Sequence, residues 1–180
     1  FVAIREQYRM ERILSFLNPW EDERGASWQL TNALIAMGRG DWFGVGLGNS
    51  VQKLGYLPEP HTDFVFAVIG EEFGALGAAL VILTFMFVVW RIFRIGAAAE
   101  RGGNIFGAYL TYGVGFVVGI QALVNIAVNV GYLPTKGLPL PLLSYASNNL
   151  VITIIGLALV VKIGREIDYA DISRLIGRGV

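Results

Sequence analysis

The chain alternates long apolar runs with short polar breaks rich in Gly and Pro, and the runs have helical rather than strand length. A helix needs about 20 mostly apolar residues to cross the hydrocarbon core of a bilayer. Three segments meet that requirement. Residues 73–93 are almost unbroken Phe, Val, Ile, Leu and Ala; 105–130 are apolar and rich in Gly; 142–163 are strongly apolar from Leu150 onward. They predict three transmembrane helices. Glu71 and Glu72 stand just before the first, where carboxylates complement the positive end of a helix dipole.

The first third has a different pattern. FVAIREQYRMERILSFL predicts a charged helical extension, the end of an earlier span. Leu30, Ala33, Leu34 and Met37 recur at i, i+3, i+4 and i+7, one apolar face of a short helix. Five glycines from Gly38 to Gly48 then end that pattern. The expected organisation is therefore the end of a span plus a large loop of short helices over 1–72, three transmembrane helices within 73–163, and a tail over 164–180. A start at Phe1, without Met or a leader peptide, predicts a fragment. The fold class expected is an all-α integral membrane protein, a piece of a polytopic helical bundle with a large external loop.

Charge adds an orientation. Arg91, Arg94 and Arg101 follow the first predicted span, and Lys162, Arg165, Arg174 and Arg178 follow the third. Between the second and third spans there is only Lys136. The excess of basic residues predicts that the first two groups are cytoplasmic. Asp63 and the 133–144 loop are then expected on the external side.

Composition agrees with a membrane protein: 54% of the 180 residues are hydrophobic and 16% charged, against about 25% charged in soluble domains. Mean hydropathy is +0.57. A net charge of zero and the lack of basic clusters interleaved with aromatics argue against nucleic acid as a partner. With no Cys, disulfides and thiolate metal sites are excluded.

Candidate chemistry begins with Asp63, a carboxylate at the mouth of an apolar segment, where a charge is costly without a use or a partner. From local sequence it reads first as a helix N-cap or ion-pair member, and second as a general base that takes a proton from a sugar hydroxyl. His61 is the only His, so a protein-built zinc site is not expected. A divalent ion, Mg²⁺ or Mn²⁺, shared by Asp63 and a substrate phosphate is compatible with so few ligands. Gly44-Val-Gly46-Leu-Gly48 lacks the strand and the Gly-Lys-Ser of a nucleotide loop, so its glycines predict tight turns or close packing. Gln121, Asn125 and Asn129 recur every four residues and share one helix face. Amides at membrane depth predict interhelical bonding or a wet cavity. Gly115 and Gly119 form a small-xxx-small packing pair. The run GYLPTKGLPLPLL, 131–143, carries three prolines, and irregular backbone at such depth must be buried in protein or line a cavity. Its Lys136 either contacts lipid headgroups or faces Asp63 and binds a diphosphate.

Several motifs then coincide: NPWED at 18–22, GLGNSVQKLGYLPEPHTDF at 46–64, IGEEFG at 69–74 and LPTKGLPLPLLSY at 133–145. Over nearly its whole length the chain resembles the C-terminal half of the SEDS family (shape, elongation, division and sporulation), and within it the cell-division, FtsW-like branch. The resemblance implies about ten spanning helices in a whole member. It implies a multi-pass protein of the bacterial inner membrane, at the division septum, and a peptidoglycan glycosyltransferase that polymerises lipid II at the outer face. Asp63 matches the family's essential Asp, in His-Thr-Asp-Phe. Expected partners are lipid II with the nascent glycan strand, a class B penicillin-binding protein (the transpeptidase) and septal activators. Lys136, Lys53, Arg39, Glu59, His61 and Ser144 are expected to bind substrate, with Lys136, Lys53, Arg39 or a divalent ion meeting the diphosphate. One motif departs: Ser144-Tyr145-Ala146-Ser147-Asn148 stands where the family usually has Ser-Tyr-Gly-Gly-Ser. A lipid-precursor transporter (flippase) and a non-catalytic division scaffold are the alternative readings.

Overall fold

The computed structural model describes residues 28–50, 62–134 and 137–177, and all regular structure among them is α-helical. Four helices follow in order: α1, Trp28–Gly40; α2, Val65–Arg101; α3, Ile105–Asn129; α4, Ser147–Gly177. The segment 1–27, with its predicted helical extension and the 18–22 motif, lies outside the described residues.

The predicted spans map onto α2 to α4 with shifts at their starts. The segment 105–130 matches α3 to within one residue at its C-terminal end. Helix α2 starts eight residues before position 73, but it is broken at Gly74, whose φ of 69° and ψ of −166° leave the helical region. Glu71 and Glu72 therefore end the short first segment of α2 instead of preceding a span. Helix α4 starts at Ser147, five residues after position 142, because 139–146 remain in the proline-rich loop. Residues 164–177, expected as a tail, continue α4 as helix.

Helices α2 and α3 are long and apolar enough to cross a membrane. The most apolar window of α2 is only 11% buried. A core helix of a soluble protein would hide that surface, so its exposed Leu76, Leu80, Leu83, Met86, Phe87 and Trp90 suit contact with lipid.

The helices contribute to two compact units, residues 1–82 with 121–146, and residues 83–120 with 147–180. In the first, Ala33 and Ala36 of α1 pack on Phe64 and Ala67 at the head of α2, with Met37 beside them. Their small side chains let α1 approach closely, and Gly40 lies against the backbone of Gly70 with no room for a Cβ. Leu30 is buried as the apolar spacing predicts. In the second unit, Ala99, Ala108 and Ile163 form the core, flanked by Ile95, Leu110, Tyr112 and Ile167. Gly115 packs on Ile92 and Phe93, and Gly119 on Val89, the close packing that the small-xxx-small pair predicts.

Helix ends follow local chemistry. Gly103, at φ 87°, closes α2 with bonds from its N–H to Glu100 and from Asn104 N–H to Ala99. Asn104 then caps α3 through Oδ1, which accepts from Gly107 N–H at 2.9 Å. The same closure ends α3, where Gly131 and Tyr132 donate to Val128 and Ala127.

Candidate functional site

The site is assembled around the amide face of α3. Asn125 is 2% and Asn129 0% exposed, so at this depth their polar atoms require partners. Asn125 Nδ2 donates to the Asp63 carbonyl at 3.0 Å and to the Leu138 carbonyl at 2.7 Å. Asn129 Nδ2 also donates to the Asp63 carbonyl, at 3.0 Å, while its Oδ1 accepts from Ala67 N–H at 3.1 Å. One turn earlier, Gln121 Nε2 donates to the Pro139 carbonyl at 3.0 Å. Three side chains on one face thus fasten two irregular segments, the approach to α2 and the proline-rich loop. Pro139 supplies no backbone N–H, but its carbonyl and that of Leu138 are free to accept these bonds.

These bonds fix Asp63 by its backbone. It lies two residues before α2, with Phe64 O taking the first intrahelical bond from Val68 N–H. One N–H of the first turn, that of Ala67, is met by Asn129 from α3. The Asp63 carboxylate, half-buried, turns toward the proline-rich loop: a Cβ placed on Gly137 would lie 3.2 Å from Asp63 Oδ2. Asp63 and the residue that follows Lys136 are therefore neighbours. Lys136 itself, with Lys53, Glu59 and His61, lies outside the described residues.

Two expected substrate ligands have partners within the protein. Arg39 Nη1 lies 3.6 Å from Glu71 Oε1, so part of its charge is already compensated, although its side chain is 47% exposed. Ser144 is buried, and its Oγ accepts from Leu140 N–H at 2.7 Å. With Ser144 N–H donating to Leu140 O, it closes a turn of the loop, a structural use of the side chain.

Glu71 is a residue that sequence reasoning assigned only to a helix dipole. Its side chain is fully buried and its Oε2 accepts from Ser50 Oγ at 2.5 Å. The available signal was spacing, since Phe64, Ala67 and Glu71 fall at i, i+3 and i+7 on the buried face of α2. Beside it the glycine loop serves the break at Gly74. Val45 and Gly46 donate to the carbonyls of Glu71 and Glu72, and Ala75 and Leu76 donate to those of Asp41 and Trp42. The loop thus pairs groups orphaned on both sides of the break. Gly44, at φ 81°, and Gly74 touch backbone where a Cβ would collide. Among the described residues no three His, Cys, Asp or Glu are grouped to hold a metal ion.

Comparison with known proteins gives this arrangement a family. The FtsW/RodA/SpoVE family model, described as "Cell cycle protein", matches residues 1–169. The chain is 53% identical over 173 residues to a probable peptidoglycan glycosyltransferase FtsW of Methylococcus capsulatus, covering 96% of this chain and 42% of that protein. It is 55% identical over 169 residues to a protein of the same description from Halomonas elongata, covering 94% and 43%. Among solved structures, a chain from work on the structural coordination of polymerization and crosslinking by a peptidoglycan synthase complex matches with a TM-score of 0.65 and 29% identity, over 90% of this chain and 43% of that one. The chain thus spans less than half the length of these curated relatives. With 169 of its 180 residues matched by one family model, it belongs to the FtsW/RodA/SpoVE family of cell cycle proteins.

Proposed function

We propose that the protein carrying this chain is a peptidoglycan glycosyltransferase that polymerises lipid II at the outer face of the bacterial inner membrane during cell division. The observation that carries the reading is the position of Asp63, held by its carbonyl to α3 with its carboxylate against Gly137. The relatives described as probable peptidoglycan glycosyltransferases support the reaction class.

The reaction is an inverting transfer. Asp63 takes the proton from the acceptor sugar hydroxyl while the oxygen attacks the anomeric carbon of the donor. The bond from that carbon to the lipid diphosphate breaks, and the diphosphate leaves with the electron pair. It needs positive charge more than a proton, and Lys136, one residue from Gly137, is the candidate to supply it, with Lys53 and Arg39 as further candidates. A general base contributes about 10²–10⁴-fold, and holding two membrane-tethered substrates in register contributes further. A class B penicillin-binding protein would crosslink the product. The similar chain in a synthase complex that coordinates polymerization and crosslinking supports that pairing.

A lipid transporter would use a broken helix as its substrate path. The Gly74 break is poorly suited to that, because its flanking backbone groups are bonded to the 41–46 loop. Labelled lipid II given to the intact protein with its transpeptidase distinguishes the readings. Glycan chains on a gel are expected from the wild type; leaflet exchange without polymer would overturn the assignment.

A further inference from the structure

The second unit carries a feature that the glycosyl transfer leaves unused. A cavity of about 430 Å³ opens between α2 and α4, lined by Arg91, Arg94, Arg101 and Arg165, with Ala98 and Gly164 leaving room between them. Arg91, Arg94, Ala98 and Arg101 are spaced by three, four and three residues, one stripe of α2. Arg165 joins them from α4. All four arginines are exposed, and among the described lining residues there is no carboxylate.

Among the described residues none of the four forms a salt bridge. Two acids of this unit have other partners: Glu100 accepts from Tyr112 Oη at 2.9 Å, and Glu166 lies 3.7 Å from Lys162 Nζ. Guanidinium groups gathered around one space repel one another unless an anion joins them, and their planar donors match phosphate oxygens in pairs.

Two observations point to a lipid as the source of that anion. Arg94 lies 5.0 Å over the ring of Trp90, an amphipathic aromatic of the kind that settles at the membrane interface. From there the surface becomes apolar. Leu83, Met86 and Phe87 on α2 are between 58% and 61% exposed, and Ile155 and Val161 are exposed on α4. A cationic recess at interface depth, continuous with bare apolar helix, complements a molecule with a phosphate head and acyl chains. We propose that this cavity binds the headgroup of an anionic phospholipid from the cytoplasmic leaflet, the side to which the basic residues assign these helix ends.

The test uses the intact protein, purified in neutral detergent and stripped of lipid, with native mass spectrometry as the readout. The probes are phosphatidylglycerol and phosphatidylcholine with identical acyl chains. Phosphatidylglycerol is expected to bind at least about tenfold more tightly, and Arg94→Gln or Arg165→Gln to reduce that preference by about fivefold each. Lys162→Gln, outside the cavity, is expected to leave it unchanged. Equal binding of the two lipids, or a preference that survives the double Gln variant, would overturn the proposal. Glycerol phosphate, which lacks acyl chains, is expected to compete poorly; displacement of the lipid by it at matched concentration would assign the site to a soluble anion instead. Should the double Gln variant unfold in lipid-free detergent, Arg94→Lys with Arg165→Lys carries the test. That pair is expected to keep a reduced preference, and an undiminished one would exclude the paired phosphate contacts.

Discussion

At the scale of single residues, the amides of α3 link sequence to site. Asn129 satisfies a carbonyl before α2 and an N–H within it, so one side chain fixes both position and direction of the Asp63 segment. Asn129→Leu removes both bonds: the buried Ala67 N–H loses this partner, while the part-buried Asp63 carbonyl keeps the bond from Asn125. The expected cost is about 1–3 kcal/mol, read as a lower unfolding temperature in detergent, together with loss of polymerisation. An unchanged unfolding temperature would show that these groups find other partners. The periodicity of Gln121, Asn125 and Asn129 made their shared face legible in the sequence. Their acceptors were not legible, because three of them are backbone carbonyls (Asp63, Leu138 and Pro139) and a carbonyl looks alike in every residue. Glu71 was misread for a related reason: a carboxylate near a helix start looks exposed until the turn that buries it is known.

At the scale of elements, the break in α2 is the main departure from the hydropathy pattern. That pattern measured apolar length and put a span at 73, next to the true discontinuity at Gly74. It gave no sign that helix also precedes the break, since a change of φ leaves hydropathy unaltered. The proline-rich loop hides the start of α4 in the same way, because Leu142 and Leu143 read as span while Ser144 turns them back toward Leu140. The glycines of 44–48 were legible as turn and packing residues, but not as the partner of the break. Gly74→Ala would set a Cβ within 2.6 Å of the Trp42 carbonyl at a positive φ, and Gly44→Ala would collide with the backbone of Glu72. Each is expected to destabilise by more than about 1 kcal/mol. Gly113→Ala, on α3 with nothing within 4 Å, is expected to be neutral or stabilising by up to about 1 kcal/mol. Thermal unfolding of the three variants checks the contrast; equal effects would argue against a tight seam at Gly74.

At the scale of the whole molecule, length and apolar character identified a helical membrane protein, and long motifs identified its family; the packing of the two units was beyond either signal. Sidedness is testable because this chain has no Cys to remove. In an intact protein cleared of other cysteines, Tyr145→Cys in the exposed loop is expected to react with an impermeant maleimide added to whole cells whose outer barrier is opened. Gly102→Cys, beyond the basic end of α2, is expected to react only after the inner membrane is permeabilised. The reverse pattern would place Asp63 on the wrong side for lipid II polymerisation. The most direct measurement is polymerisation of lipid II by the Asp63→Asn protein, complete and paired with its transpeptidase. The described bonds from α3 to residue 63 use its carbonyl, which Asn retains, so position is preserved while the base is lost. A fall of about 10²–10⁴-fold with an unchanged unfolding temperature is expected. Near-normal polymer from that variant would contradict a general-base role for Asp63.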